Sequence, residues 1–188
     1  AYAPVGPMIV NEDAPLFLDA PDPWRRSVAA VAELERQVLD EVHGDGVVLR
    51  YGALYGRGTW WDADGDYGVE VRSGSMPVIG SGAGVTSFVH VDDAAGAAVC
   101  AIDADTVGII NVTDDEPAAA ADWLPYVAAR LGAPEPRRLD EETARERLGW
   151  QAVHRHTEQR GASNRRMRDD LRYSLRHPTW RDRLGGPD

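Results

Sequence analysis

The sequence of 188 residues predicts an α/β fold built on a parallel sheet. Two apolar, β-branched runs, residues 47–50 and 107–112, have the composition of buried strands. Segments with helical periodicity stand before, between and after them. The resulting order of helix, strand, small insertion, helix, strand and helix is typical of α/β sheets. With 43% hydrophobic residues, the chain is long enough to bury a core.

The first predicted helix follows a long loop. Residues 1–22 are rich in Pro, Asp and Ala without a sustained period, which predicts irregular structure. Asp22 and Pro23 predict a helix start, with Asp22 as N-cap and Pro23 in the first turn. Gly44 is expected to end this helix of about five turns. Its predicted buried stripe consists of Val28, Val31, Leu34 or Glu35, Val38 and Val42.

The stretch from Val47 to Gly58 is the first candidate for a ligand site. A buried strand turns abruptly into a loop of glycines and tyrosines, Tyr51 to Gly58. In open α/β sheets, ligands bind beyond the carboxyl ends of the strands. A turn without a ligand is the alternative, because any buried strand followed by a turn has a similar pattern.

The middle of the chain predicts a short helix at 66–72 and two short strands at 76–79 and 86–91. Glycines at 80–84 lie between these strands. A phosphate-binding loop must lead from a strand into a helix, so a plain turn is the better prediction here.

Asp92 and Asp93 precede a helix over about 94–102, where capping explains two carboxylates better than acid/base catalysis does. A further amphipathic helix is predicted from Trp123 to Leu131, and Gly132 and Pro134 stop it.

The C-terminal part is predicted to hold two helices, at 141–148 and at 163–175, with Met167, Leu171 and Leu175 on one face of the second. His154 and His156 form a His-x-His pair, but no third ligand follows at a recognisable spacing. The sequence therefore predicts no metal site, and surface histidines are expected.

Charge and composition exclude several function classes. The chain has no lysine, so a P-loop, a Schiff base and a Tyr-x-x-x-Lys pair are ruled out for these residues. Residues 1–136 carry 7 Arg and 22 acidic residues, whereas residues 137–188 carry 13 Arg and 9 acidic residues. A basic C-terminal segment lying on an acidic body is expected, with an Arg site for an anion as the alternative.

The net charge of -11 disfavours nucleic-acid binding, and no apolar run approaches the roughly 20 residues that span a bilayer.

Cys100, the only cysteine, lies in an apolar run and is expected in the core, which suggests a reducing cytoplasm. The chain does not begin with Met, and its first residues have the pattern of a strand entering a loop. We therefore expect a fragment of a longer protein.

Three stretches in order, 50–58, 87–95 and 110–117, resemble the NAD-dependent epimerase/dehydratase family, the extended short-chain dehydrogenases. The resemblance covers the C-terminal two-thirds of that family, and residues 157–164 and 178–181 resemble an atypical bacterial branch of it. It implies a Rossmann-type parallel sheet that lacks its first strands, followed by a small C-terminal substrate subdomain. Residues 1–132 would form the sheet domain, with an insertion at about 59–90, and residues 133–188 the substrate side. NAD or NADP would bind only together with the missing N-terminal half.

The resemblance also implies which residues form the site. The family's catalytic Tyr and Lys positions hold Trp24 and Val28, neither of which can do acid/base work, so no catalytic residue is assigned. The positions expected to approach the cofactor, largely through backbone groups, are Tyr51, Gly52, Ala53 and Leu54. The positions expected to face the substrate are Trp60, Trp61, His90 and Arg160, with Arg160 as an anion contact.

The leading functional hypothesis is the C-terminal part of an atypical NAD(P)-dependent epimerase, dehydratase or reductase for a sugar-like or related hydroxylated small molecule. The alternative is a non-catalytic binding or scaffold protein that has lost the Tyr and Lys chemistry. A hydrolase with Ser27 or Ser163 as nucleophile is poorly supported, since neither has a Gly-x-Ser-x-Gly setting. The resemblance further suggests a homodimer through the first helix.

Overall fold

The computed structural model describes residues 1–41 and 46–186. The helices are α1 (Trp24–Arg36), α2 (Asp66–Arg72), α3 (Val91–Asp103), α4 (Ala120–Arg130), α5 (Glu141–Leu148), α6 (Trp150–Thr157) and α7 (Arg165–Asp169). A π-helical turn, Gln37–Glu41, continues α1, and a 3-10 turn lies at Trp180–Asp182. The strands are β1 (Ile9–Val10), β2 (Val47–Tyr51), β3 (Ala53–Tyr55), β4 (Val78–Ile79), β5 (Val85–Thr86), β6 (Phe88–His90), β7 (Gly108–Val112), β8 (Ala118–Ala119), β9 (Arg138–Leu139) and β10 (Gly161–Ala162).

Parallel pairs dominate the strand topology. β2 pairs with β7 and β3 pairs with β6, both in parallel, with Val47 opposite Gly108 and Tyr55 opposite His90. The short pairs β1 with β10 and β4 with β9 are also parallel, while β5 and β8 are antiparallel. Parallel neighbours joined through helices confirm the predicted α/β class.

Aromatic and aliphatic side chains from both parts of the chain form the core. The largest cluster packs Tyr55 and Phe88 against Trp123 of α4 and Trp180 near the C-terminus. A second cluster lies between β7 and α3 and includes Met167, and Cys100 packs against it as expected. The C-terminal residues are therefore part of the same core as the strands.

Helix α1 differs from the prediction in its N-cap residue and in which of its side chains are buried. It begins at Trp24 with Pro23 as N-cap, and the Asp22 carboxylate accepts a hydrogen bond from Arg25 (3.1 Å) instead of capping the helix. Val28 is buried, but the exposed fractions of Val31 and Leu34 are 47% and 60%. The predicted buried stripe is therefore wrong for Val31, and of the two alternatives Leu34 and Glu35 it is Glu35 that is buried. Val31 and Leu34 border a cavity. Val42 and Gly44, the predicted end of the helix, lie outside the described residues.

The loop prediction for residues 1–22 and the long helix at 163–175 also need correction. Residues 1–22 contain β1, which pairs with β10, and a bridge between Tyr2 and Leu16. The last helix ends at Asp169, yet Met167 and Leu171 are buried as predicted. The helices at 66–72 and 141–148 and the turn at 80–84 are confirmed.

The predicted capping role of Asp92 and Asp93 is wrong. His90 is the N-cap of α3, and its side chain accepts a hydrogen bond from the backbone N–H of Asp92. Asp93 is fully buried and accepts hydrogen bonds from Tyr173, Arg176 and His177 instead. Within the described ranges, 1–41 and 46–186, no helix is long and apolar enough to cross a bilayer.

Candidate functional site

The candidate site is centred on Gly52, where one extended stretch changes its partner strand. β2 runs beside β7 up to Tyr51, and β3 continues beside β6 from Ala53. The Gly52 N–H donates to the Val112 carbonyl (3.0 Å), and the Ala53 N–H donates to the Ser87 carbonyl (2.8 Å). A Cβ atom at position 52 would lie 2.6 Å from the Ser87 carbonyl oxygen, so the close approach requires glycine. The carboxyl end of β2 therefore lies here, and α/β sheets bind ligands beyond the carboxyl ends of their strands.

One cavity, the α1 cavity, lies between this switch point and α1 and has a volume of about 660 Å³. Val31 and Leu34 border it on the helix side, and Tyr51 borders it on the strand side. Arg160 lines it as well. The Arg160 Nη1 donates to the Glu158 carbonyl (2.7 Å), while its buried Nε has no hydrogen-bond partner within the described ranges. Asn111, another lining residue, likewise has a buried Nδ2 without a partner among the described residues, so the α1 cavity combines an apolar wall with two unsatisfied donors.

A second cavity, the tryptophan cavity, has a volume of about 1080 Å³. Trp61 stacks on Tyr67 with 4.5 Å between ring centroids, and Trp123 meets Trp61 edge-on at 5.1 Å. Trp60, which also lines the cavity, is 70% exposed and lies at its mouth, beside Tyr67. Flat aromatic faces of this kind suit a planar, unsaturated ligand.

Polar groups from α6 line the same cavity. Arg155 donates from Nη1 to the Tyr67 hydroxyl (2.9 Å), which holds the guanidinium beside the aromatic wall. Burial and the charge of Arg155 lower the pKa of His156 to about 4. His156 is therefore neutral near pH 7, and Arg155 is the cation on this wall.

The two cavities share Ala53, Thr86 and Gln159 as lining residues. Gln159 is fixed between them, since its Nε2 donates to the Val85 carbonyl (3.1 Å) and to the Thr86 hydroxyl (3.2 Å). The two cavities therefore adjoin across these residues, and together we call them the cleft: its apolar side lies against α1 and its aromatic side against α2 and α4.

The structure brings most of the predicted site residues to this cleft. Tyr51, Gly52, Ala53 and Arg160 line the α1 cavity, and Ala53, Leu54, Trp60 and Trp61 line the tryptophan cavity. Their predicted roles in binding stay predictions. His90 lines neither cavity; it is buried beside Tyr55 and His177.

Trp24 and Val28, the positions predicted to replace the family's catalytic pair, have separate surroundings. Trp24 lines the α1 cavity and packs against Phe17, Trp150 and His154 at ring-centroid distances of 5.2 to 6.4 Å. Val28 is 4% exposed. Trp24 thus belongs to an aromatic cluster and Val28 is a buried aliphatic side chain, and neither side chain can take part in acid/base catalysis.

Sequence reasoning missed Tyr67, Trp123 and Arg155 as lining residues. The sequence pattern places Trp123 only in an amphipathic helix and Tyr67 only in the short helix predicted at 66–72. The available signal was compositional, because Trp60, Trp61 and Tyr67 fall within eight residues. Such aromatic density in an insertion is typical of a binding surface rather than a turn.

The parallel strands and the cleft beyond the end of β2 define an α/β protein of the Rossmann type. No protein-family model matches the chain. It is 53% identical to a 3-diazoavenalumate denitrifying reductase from a Streptomyces species, over 98% of this chain and 61% of that protein.

Solved structures give the same fold. The human epimerase family protein SDR39U1, crystallised with NADPH, aligns with a TM-score of 0.75 at 23% identity, over 98% of this chain and 60% of that one. The dTDP-glucose 4,6-dehydratase DesIV from Streptomyces venezuelae, with NAD bound, aligns with a TM-score of 0.67 at 17% identity, over 96% and 53%. The resemblance to the NAD-dependent epimerase/dehydratase family is confirmed at the level of the fold. The chain spans about 60% of the length of the reductase and of SDR39U1.

Proposed function

We propose that this chain is the substrate side of an NAD(P)H-dependent reductase that replaces a diazo group by hydrogen and releases dinitrogen. The proposal rests on the expectation from the family resemblance that Trp24 and Val28 stand at the positions of the family's Tyr and Lys. Reduction of a carbonyl requires a proton donor at the oxygen, whereas hydride addition at a diazonium carbon requires none. The 53% identity to a denitrifying reductase supports the same chemistry.

The described residues fit the nicotinamide end of such a cofactor. Tyr51, Gly52 and Ala53 present the strand end to the α1 cavity, and Arg160 adds a buried Nε that has no partner among residues 1–41 and 46–186. The phosphate end has no counterpart within the described ranges, because the glycines at 80–84 form a turn between β4 and β5. When bound, the dinucleotide supplies a hydride.

This chain's own residues would bind and orient the substrate. The stack of Trp61 on Tyr67 offers a face for a planar aromatic ring, and Arg155 offers a cation for its carboxylate. The new C–H bond forms at the carbon that carried nitrogen. The C–N bond breaks with its electron pair moving to nitrogen, and N₂ leaves. Charge and atoms balance for a diazonium cation without a proton from the protein.

A sugar-like hydroxylated substrate, the expectation from the sequence, fits the site less well, because oxidation of a hydroxyl needs a base at its proton. The scaffold alternative gains no support from a relative that is named a reductase. The homodimer stays a prediction.

The direct test uses the complete gene product, NADPH deuterated at C4 of the nicotinamide, and diazotised 3-aminocinnamate made with ¹⁵N-nitrite. We expect consumption of NADPH, release of dinitrogen containing ¹⁵N, and one deuterium at position 3 of the ring. Mass spectrometry reads both products. Loss of nitrogen without deuterium in the product would contradict a hydride mechanism. The same rate without enzyme would contradict catalysis by this protein.

Arg155→Gln is the variant that tests substrate orientation, and Arg147→Gln, in exposed α5, is its matched control. Loss of the carboxylate contact should raise KM about tenfold or more in the first variant and leave the second unchanged. Equal effects on diazotised 3-aminocinnamate and on the diazotised amide would refute the assignment of Arg155.

A further inference from the structure

His90, Asp92 and His177 come together outside the cleft. Nδ1 of His90 lies 3.7 Å from Oδ2 of Asp92, and Nε2 of His177 lies 3.7 Å from the same oxygen. One ligand atom from each residue can be chosen so that all lie within 4.8 Å of one another. The imidazole rings face each other with 3.9 Å between centroids. Two histidines and one carboxylate are a common set of ligands for a transition metal.

The two separations from the histidines to Asp92 are close to what a tetrahedral ion needs, and the two histidine nitrogens lie within 4.8 Å of each other. Ligands bound to Zn²⁺ at about 2.0–2.1 Å stand about 3.3 Å apart when the geometry is tetrahedral. The observed separations of 3.7 Å exceed this by a few tenths of an ångström. Rotation of the Asp92 side chain, which is 57% exposed, can close that difference.

The surrounding structure fixes the two histidines. Asp93 accepts the backbone N–H of His177 at 2.9 Å and that of Arg176 at 2.8 Å. His90 is 6% exposed, and its Nε2 edge packs on Gly56, where a Cβ would lie only 2.8 Å from that nitrogen. Its Nδ1 therefore faces Asp92, whose backbone N–H donates to it at 3.2 Å. A metal at Nδ1 replaces that hydrogen bond.

We propose that His90, Asp92 and His177 form a binding site for one divalent transition-metal ion of the Zn²⁺ type, with a fourth position open to water. The ion would link the start of α3 to the segment that follows α7. The acidic charge nearby supports a cation, because Asp92 and Asp93 both lie in the first turn of α3. The proposal departs from the expectation from the sequence, which predicts no metal site because the pair His154 and His156 has no third ligand at a recognisable spacing.

The test is a titration of the metal-stripped complete gene product with ZnCl₂ by calorimetry, together with Co²⁺ absorption spectra. We expect one Zn²⁺ per chain, a raised melting temperature, and the intense visible bands of tetrahedral Co²⁺. Removal of one ligand should weaken binding by more than about tenfold in Asp92→Asn and in His177→Phe, which keeps the ring contact with His90.

Asp105→Asn, which removes an exposed carboxylate elsewhere, is the matched control and should bind as the wild type does. Circular dichroism confirms that each variant is folded, and Asp92→Asn decides the outcome if His177→Phe does not fold. The proposal is overturned if saturable binding at one ion per chain is absent. It is also overturned if Asp92→Asn binds Zn²⁺ as tightly as Asp105→Asn. Neither result bears on diazo reduction, which is measured without added metal.

Discussion

Asp114 predicts an unusual dependence of stability on pH. The residue is 1% exposed, and its Oδ1 accepts the Glu116 N–H at 3.1 Å. Its Oδ2 is buried and has no hydrogen-bond partner in the part of the chain that the structure describes. Burial, aided by the negative charges of Glu116 and Asp115, raises the pKa of Asp114 to about 7.

Asp114 releases its proton at a higher pH in the folded state than in the unfolded state. An unfolded Asp ionises near its ordinary pKa of 3.8, whereas the folded one holds its proton up to about pH 7. Between these values the folded state binds more protons, so stability falls as pH rises and is then constant above about pH 7. A difference of about three pKa units corresponds to about 4 kcal/mol, of which about 3 kcal/mol is lost between pH 5 and pH 8.

The assay is urea unfolding of the wild type and Asp114→Asn at pH 5, 6, 7 and 8. Burial lowers the pKa of His154 and His156, so these histidines stabilise the folded state less as pH falls below about 6.5. Their effect on the free energy of unfolding therefore has the opposite pH dependence to that of Asp114. The difference between variant and wild type cancels the histidines. We expect that difference to move in favour of Asp114→Asn by about 3 kcal/mol from pH 5 to pH 8.

Asp105→Asn, which removes one exposed carboxylate, is the matched control for the loss of a surface charge. A difference between Asp114→Asn and wild type that is constant across the four pH values would refute the reasoning. It would mean that Asp114 is ionised in the folded protein throughout this range.

Three further substitutions test the fold and the cleft. Gly52→Ala should cost about 2 kcal/mol or more in urea unfolding, because its Cβ would lie 2.6 Å from the Ser87 carbonyl oxygen. Glu35→Gln should cost about 3 kcal/mol, because it leaves the charge of part-buried Arg50, now 2.6 Å from a Glu35 oxygen, without a counter-ion. Trp24→Tyr should leave kcat for diazo reduction within about threefold of wild type, because the proposed step moves no proton. A large rate gain in that variant would contradict the mechanism.

Elements defined by local signals could be predicted from the sequence. The helix at 141–148 is an example, since Asp140 caps it through a hydrogen bond to the Thr143 N–H at 2.9 Å, within three residues. The strands β1 and β10 could not be predicted in this way. Each is two residues long, and each exists because Ile9 pairs with Gly161 across most of the chain.

The same division applies to the candidate site. Tyr51 to Ala53 could be located because a strand end precedes a glycine, which is a local pattern. The aromatic wall could not be predicted from the sequence, because it joins Trp61 from the insertion with Trp123 from α4. Its cation, Arg155, comes from a third segment. Side chains that meet only through tertiary packing leave no common period in the sequence.

Asp93 shows how a local pattern can conceal a long-range role. Two acidic residues at the start of a helix have the pattern of N-capping residues, and capping is worth about 1 kcal/mol. His90 takes the cap instead, which frees the buried Asp93 carboxylate to accept hydrogen bonds from Arg176 and His177. The hydrogen bond from the His177 N–H to Asp93 holds His177 over His90 and beside Asp92. The proposed metal site therefore depends on the carboxylate whose role the sequence pattern misassigned.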